Sequence, residues 1–194
     1  KQTPSLAFIN QIKLNKKCPL PLGLIKKKGE EGEINLDSYG KGNVYCNIIS
    51  KSISYADFGY VKKLNFSQNI LTNEGVREIL INLTLNRKIV MSLKILNLSN
   101  NLIGHKGASY LNKFISNENC KLKEIILENT GITNDSINLL SYSITMNIDS
   151  FISVLNFGKN GISDKCYLSI CSILEKCEFL KVLQIHDNLF SNKA

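Results

Sequence analysis

Apolar residues along this chain follow two periods that alternate. Leu64 and Phe66 are two apart, and the same pair returns as Leu96 and Leu98, Ile125 and Leu127, Leu155 and Phe157, and Leu183 and Ile185. An apolar residue precedes each pair by three positions: Val61, Leu93, Leu122, Ile152 and Leu180. A polar residue closes each copy: Asn69, Asn101, Thr130, Asn160 and Asn188. Period two over so few residues predicts a short strand with one buried face. After the closing residue comes a further apolar position, then a small or capping one (Thr72, Gly104, Thr133, Ser163, Ser191). Helical spacing follows, as in Val76, Ile79, Leu80 and Leu83, or Ile137, Leu140 and Ile144. Helices are therefore predicted near 73–86, 104–118, 133–147 and 163–177. Strands are predicted to centre near Asn35, Asn65, Asn97, Ile126, Asn156 and Gln184. The first of these belongs to a degenerate unit, Ile34-Asn-Leu36-Asp-Ser-Tyr39, with Tyr39 in the Asn position.

The closing positions step by 32, 29, 30 and 28 residues, so the chain is a tandem array of strand-turn-helix units with the signature L-x-x-L-x-L-x-x-N. No such unit buries its apolar face alone; stacking does it. Strands pack about 4.8 Å apart and helices about 10 Å, so the array must curve with strands inside. The expected fold is an α/β leucine-rich-repeat solenoid, a horseshoe with a parallel concave sheet and convex helices, over residues 31–194. The Asn column is assigned to structure: its amides serve backbone groups of the bend that would otherwise be buried without partners. Thr130 and Tyr39 depart from it and predict local irregularity.

Residues 1–30 stand apart. They hold all three prolines and apolar Leu6, Phe8, Ile9, Ile12 and Leu14, and are expected to cap the open end of the first repeat. At the other end, Ser191-Asn-Lys-Ala194 begins a helix and stops, which predicts a chain that continues. The net charge of +8 is local: residues 1–28 carry seven lysines and no acid, and the remainder is near neutral. Lys13, Lys16, Lys17, Lys26, Lys27 and Lys28 are thus candidates for a nucleic-acid or membrane contact. A solvated lysine-rich segment is the reading favoured, because Phe8 is the one aromatic among them.

Six cysteines without a C-x-x-C pair, beside only two histidines, give no zinc spacing and no cofactor site. Free, mostly buried thiols in a reducing compartment are expected, with the cytoplasm as the default location. Phosphate-loop, nucleophile-elbow and zinc-protease motifs are all missing, and His186 beside Asp187 is an ordinary surface pair; no enzyme is expected.

Unit length, full helices and the glycines Gly75 and Gly107 in a first helical turn resemble the ribonuclease-inhibitor-like class of leucine-rich repeats. That resemblance implies binding of a partner protein through the concave face. The residues expected there are Asn97, Glu124, Ile126, Glu128, Val154, Asn156, Val182, Gln184, His186 and Asp187, where two valines lie among amides. Two alternatives are kept. One is a GTPase activator resembling the Ran GTPase-activating protein, whose functional residues find no match here. The other, suggested by an Asn-, Ile- and Lys-rich composition, is a cytoskeletal or ciliary structural repeat protein.

Overall fold

The computed structural model describes residues 4–17, 32–55, 61–147 and 151–191. Six three-residue strands alternate with helices among them. The strands are β1 (Glu33–Asn35), β2 (Lys63–Asn65), β3 (Ile95–Asn97), β4 (Glu124–Ile126), β5 (Val154–Asn156) and β6 (Val182–Gln184). They form one parallel sheet in sequence order, with register Asn35–Asn65–Asn97–Ile126–Asn156–Gln184 across it. Each strand ends at the residue expected to be its centre. In four strands Asn35, Asn65, Asn97 and Asn156 accept, through Oδ1, the backbone N–H two residues on, at 2.9–3.0 Å, which supports the turn out of the strand; β4 and β6 end in the same register at Ile126 and Gln184.

The helices are α1 (Pro4–Leu14), α2 (Gly42–Tyr55), α3 (Asn73–Thr84), α4 (Arg87–Ser92), α5 (Gly104–Ile115), α6 (Asn134–Met146) and α7 (Tyr167–Lys176). Consecutive helices α2, α3, α5, α6 and α7 pack side by side behind the sheet. The unexpected element is α4, which accounts for the 32-residue step. The Asn86 side chain accepts from Lys88 N–H and starts a new helix, burying Ile89 and Val90. Before α7 a short 3-10 turn covers Asp164–Cys166, so that helix begins later than the apolar spacing suggests. Gly75 and Gly107 have a steric reason: a Cβ would collide with the Asn43 side chain at the first and meet Ile103 Cβ at 2.8 Å at the second.

The core is one cluster running through every unit, with Leu64, Phe66, Leu96, Leu98, Leu155 and Phe157 all fully buried. Phe8 and Ile12 of α1 belong to it, and α1 packs on α2, at the end where a cap was expected. Residues 18–31, with Cys18, Pro19, Pro21, Lys26, Lys27 and Lys28, lie outside the described residues.

The Asn column works as a ladder. Asn101 Nδ2 donates to the carbonyls of Phe66, Leu98 and Ser99, and its Oδ1 accepts from Asn69 N–H and Leu71 N–H. Asn160 and Asn188 repeat the arrangement two and three units on. Thr130, expected to be irregular, is fully buried in the column and its hydroxyl donates to Leu127 O at 2.8 Å, but it reaches the preceding unit through its backbone carbonyl, which accepts from Ile103 N–H, rather than through an amide. Tyr39 does break it. Asn69 Oδ1, which should accept from that unit, is buried with no partner among the described residues.

The residue before the column is left-handed in every unit. Ser38, Gln68, Asn100, Asn129, Lys159 and Asp187 have φ between 52° and 61°. The residue after it is also left-handed in several units, supplied by Gly131 and Gly161 at φ 70° but by Ile70 at φ 56°. A β-branched residue there is strained, and Ile70 is 73% exposed, so it gains little burial in return. Ile70→Gly is expected to raise stability by about 1 kcal/mol, net of glycine's greater unfolded-state freedom. A denaturant titration with unchanged or lowered midpoint would contradict the strain.

Five of the cysteines lie in the described residues, and all are free. Burial pushes the Cys46 thiol up to about 12 and raises Cys120 as well. Cys171, on the outer face of α7, is exposed. Brief alkylation of the native protein should therefore modify Cys171 and spare Cys46 and Cys120, read by peptide mass spectrometry. Modification of Cys46 without denaturant would overturn its placement.

Candidate protein-binding face

Strand alternation turns Leu64, Leu96, Ile125, Leu155 and Leu183 toward the helices and leaves two columns on the open face of the sheet. One column reads Glu33, Lys63, Ile95, Glu124, Val154, Val182; the other reads Asn35, Asn65, Asn97, Ile126, Asn156, Gln184. In the first, Val154 stands beside Val182, with Val154 half-buried and Val182 40% exposed. Ile95 and Ile126, both half-buried, extend this apolar area toward the middle of the sheet. Ile95 was not among the residues expected to bind. Its place follows only from aligning it with Glu124 and Val154 across the strands.

Asn97, Glu124 and Glu128 are half-buried, and Gln184, His186 and Asp187 are exposed. Asn156 differs from expectation. It is 6% exposed, because its Oδ1 takes Gly158 N–H while its Nδ2 donates to Glu128 Oε2 at 3.1 Å. It orients other groups rather than offering itself. Asp187 also differs: it is not a strand residue but sits in the turn at φ 53°.

Beyond the strands lies a polar cluster centred on Glu128. Lys159 Nζ is 2.7 Å from Glu128 Oε1, and His186 Nε2 is 3.8 Å from the same oxygen. Hydrogen bonds from Lys159 and Asn156, with the lysine's charge, hold the Glu128 carboxyl below the usual carboxylate range. Gly158 makes the cluster possible. A Cβ there would come within 2.5 Å of the His186 ring, so a side chain in this position would displace the imidazole. Reading the sequence missed Lys159 as a partner of Glu128, although aligned copies place it one unit and one residue further along. At the opposite end of the sheet the polar contacts are Lys63 with Glu33 at 2.9 Å and Ser67 Oγ donating to Asp37 at 2.6 Å.

Among the described residues no group of His, Cys, Asp or Glu is arranged to hold a metal, and no helix is long and apolar enough to cross a membrane. Of the lysine arm, Lys13 lies in the last turn of α1 while Lys16 and Lys17 follow it, all exposed. Arg77 and Arg87 lie on the helical side. Arg77 pairs with Glu78 and approaches the Tyr110 ring, and Arg87 donates to Asn119.

A family profile described as Leucine Rich repeat matches residues 91–111, the segment holding Leu93, Leu96, Leu98 and Asn101. No curated protein matches the chain in sequence. Among solved structures, the chain is similar to leiomodin-1 actin-binding site 2, with TM-score 0.57 and 14% identity, covering 77% of this chain and 80% of that one. At that identity the likeness is one of fold. A matched repeat in the middle of the chain, a matched architecture over most of its length and a ladder of buried asparagines agree that this protein is built as a leucine-rich-repeat solenoid.

Proposed function

We propose that this protein is an interaction module that holds a partner protein against the inner face of its sheet, mainly over β3 to β6. The observation carrying this reading is the neighbouring pair Val154 and Val182, backed by Ile95 and Ile126 and bordered by the Glu128 cluster. Apolar area supplies burial, while groups already fixed by hydrogen bonds supply orientation without a large ordering cost. Units of about 30 residues with full helices support placement in the ribonuclease-inhibitor-like class. The similar solved structure is named for binding a protein, actin, which supports a protein ligand in general.

The test begins with affinity capture of a partner and continues with titration. Val154→Asp combined with Val182→Asp is expected to weaken the complex about a hundredfold or more, with the melting curve preserved. Val182→Asp alone, on the more exposed strand, guards against a folding defect at Val154. Undiminished affinity in both variants would place the interface elsewhere. The cytoskeletal reading gains one specific support from the same solved structure, and co-sedimentation with actin filaments tests it directly.

A further inference from the structure

The inner face is electrically different along its two long edges. At the edge where the strands begin, the backbone ladder joins Lys62, Lys94, Lys123, Ser153 and Lys181 in order: Lys94 N–H donates to Lys62 O, Lys123 N–H to Lys94 O, Ser153 N–H to Lys123 O and Lys181 N–H to Ser153 O. Lysines therefore recur at the spacing of the strands, about 4.8 Å from one strand to the next. Lys123 and Lys181 are exposed, and Lys94, half-buried, donates to Met91 O. Burial, and then the charges of Lys123 and Lys121, hold the Lys94 ammonium below the usual lysine range. At the edge where the strands end stand Asp37, Glu128 and Asp187, with Lys159 already paired to Glu128. Between the two edges runs the column of Ile95, Val154 and Val182, interrupted by Glu124.

We propose that the partner segment seated on this face is an amphipathic helix lying across the strands, with an apolar stripe on Ile95, Val154 and Val182 and an acidic stripe on Lys94, Lys123 and Lys181. This rests on the inner face being the docking surface. The geometry suits a helix. A three-residue strand is about 10 Å long, close to the diameter of a helix, about 10 Å. A helix rises about 5.4 Å per turn, near the strand spacing of about 4.8 Å, so successive turns meet successive strands. Residues three and four apart then form one stripe over the apolar column, and those flanking it form a second stripe over the lysines. The charge difference between the edges fixes which flank is acidic, because the reversed placement would set carboxylates against Glu128 and Asp187.

Two fluorescein-labelled synthetic helical peptides test this by fluorescence polarisation at low salt. Both carry a leucine stripe; one has glutamates along one flank, and the other has lysines there. The glutamate-flanked peptide is expected to bind at least about tenfold tighter to the wild-type protein, and added salt should erode the difference. Lys94→Glu with Lys123→Glu should reverse the preference, and Lys94→Gln with Lys123→Gln, checked by melting curve, should abolish it. Val154→Asp with Val182→Asp should weaken both peptides. Equal binding of both peptides, lost in the double-valine variant, would overturn the acidic stripe and leave the docking face standing. A glutamate preference unaffected by the double-valine variant would overturn the apolar stripe, placing the contact on the lysine edge alone. Binding of neither peptide would overturn the proposal.

Discussion

Asn101→Ala is expected to cost about 3–5 kcal/mol of folding stability, more than any surface change in this protein. The residue is 4% exposed, and its amide is shared between two units. Removing it strands the N–H groups of Asn69 and Leu71 and the carbonyl of Leu98 where water does not reach freely, while Phe66 O keeps Asn69 Nδ2 and Ser99 O keeps Gln68 N–H as donors. Each buried orphan costs on the order of 1–3 kcal/mol, and several arise at once. Asn188→Ala should cost less, about 1–2 kcal/mol, because Asn188 and Ile185 are half-buried and His186 is exposed, so water can reach part of what it serves. Urea titrations of the two variants compare them directly. Equal losses would mean that burial of the column contributes little.

Leu98→Ala is expected to cost about 2–5 kcal/mol. Leu98 is fully buried in the continuous core, and in a solenoid a cavity in one unit also weakens the interface to each neighbour. The hole lies in the middle of the array, between layers of helix and sheet that cannot close over it independently. A loss below about 0.5 kcal/mol would show that the side chain is not a core element.

The strands were legible because each carries two leucine-like residues in a fixed frame, and five aligned copies make chance agreement untenable. Their ends were not, because the chain leaves each strand at one register, with Asn97 and Asn156 folding an amide back on the next turn but Ile126 and Gln184 ending their strands too, which spacing alone does not reveal. Helix α4 escaped notice because Arg87-Lys-Ile-Val-Met-Ser92 is too short to show a period. Thr130 departs from the column less than its type suggests: its hydroxyl serves Leu127 O, and its backbone carbonyl takes Ile103 N–H of the preceding unit in place of an amide. On the candidate face, the order of the columns could be read from the repeat, and Val154 and Val182 are neighbours as that order requires. The burial of Asn156 and the packing of His186 over Gly158 arise between units, from side-chain reach, and no single unit carries the signal.

The central claim is that a partner protein occupies the inner face over β3 to β6. Hydrogen–deuterium exchange of the protein alone and with its captured partner tests it most directly. Amides in the turns at 126–129, 156–159 and 184–188 should slow in the complex, while those at the exposed ends of α3, α5 and α6 should not change. Protection confined to those helices, with the turns unaltered, would contradict the claim.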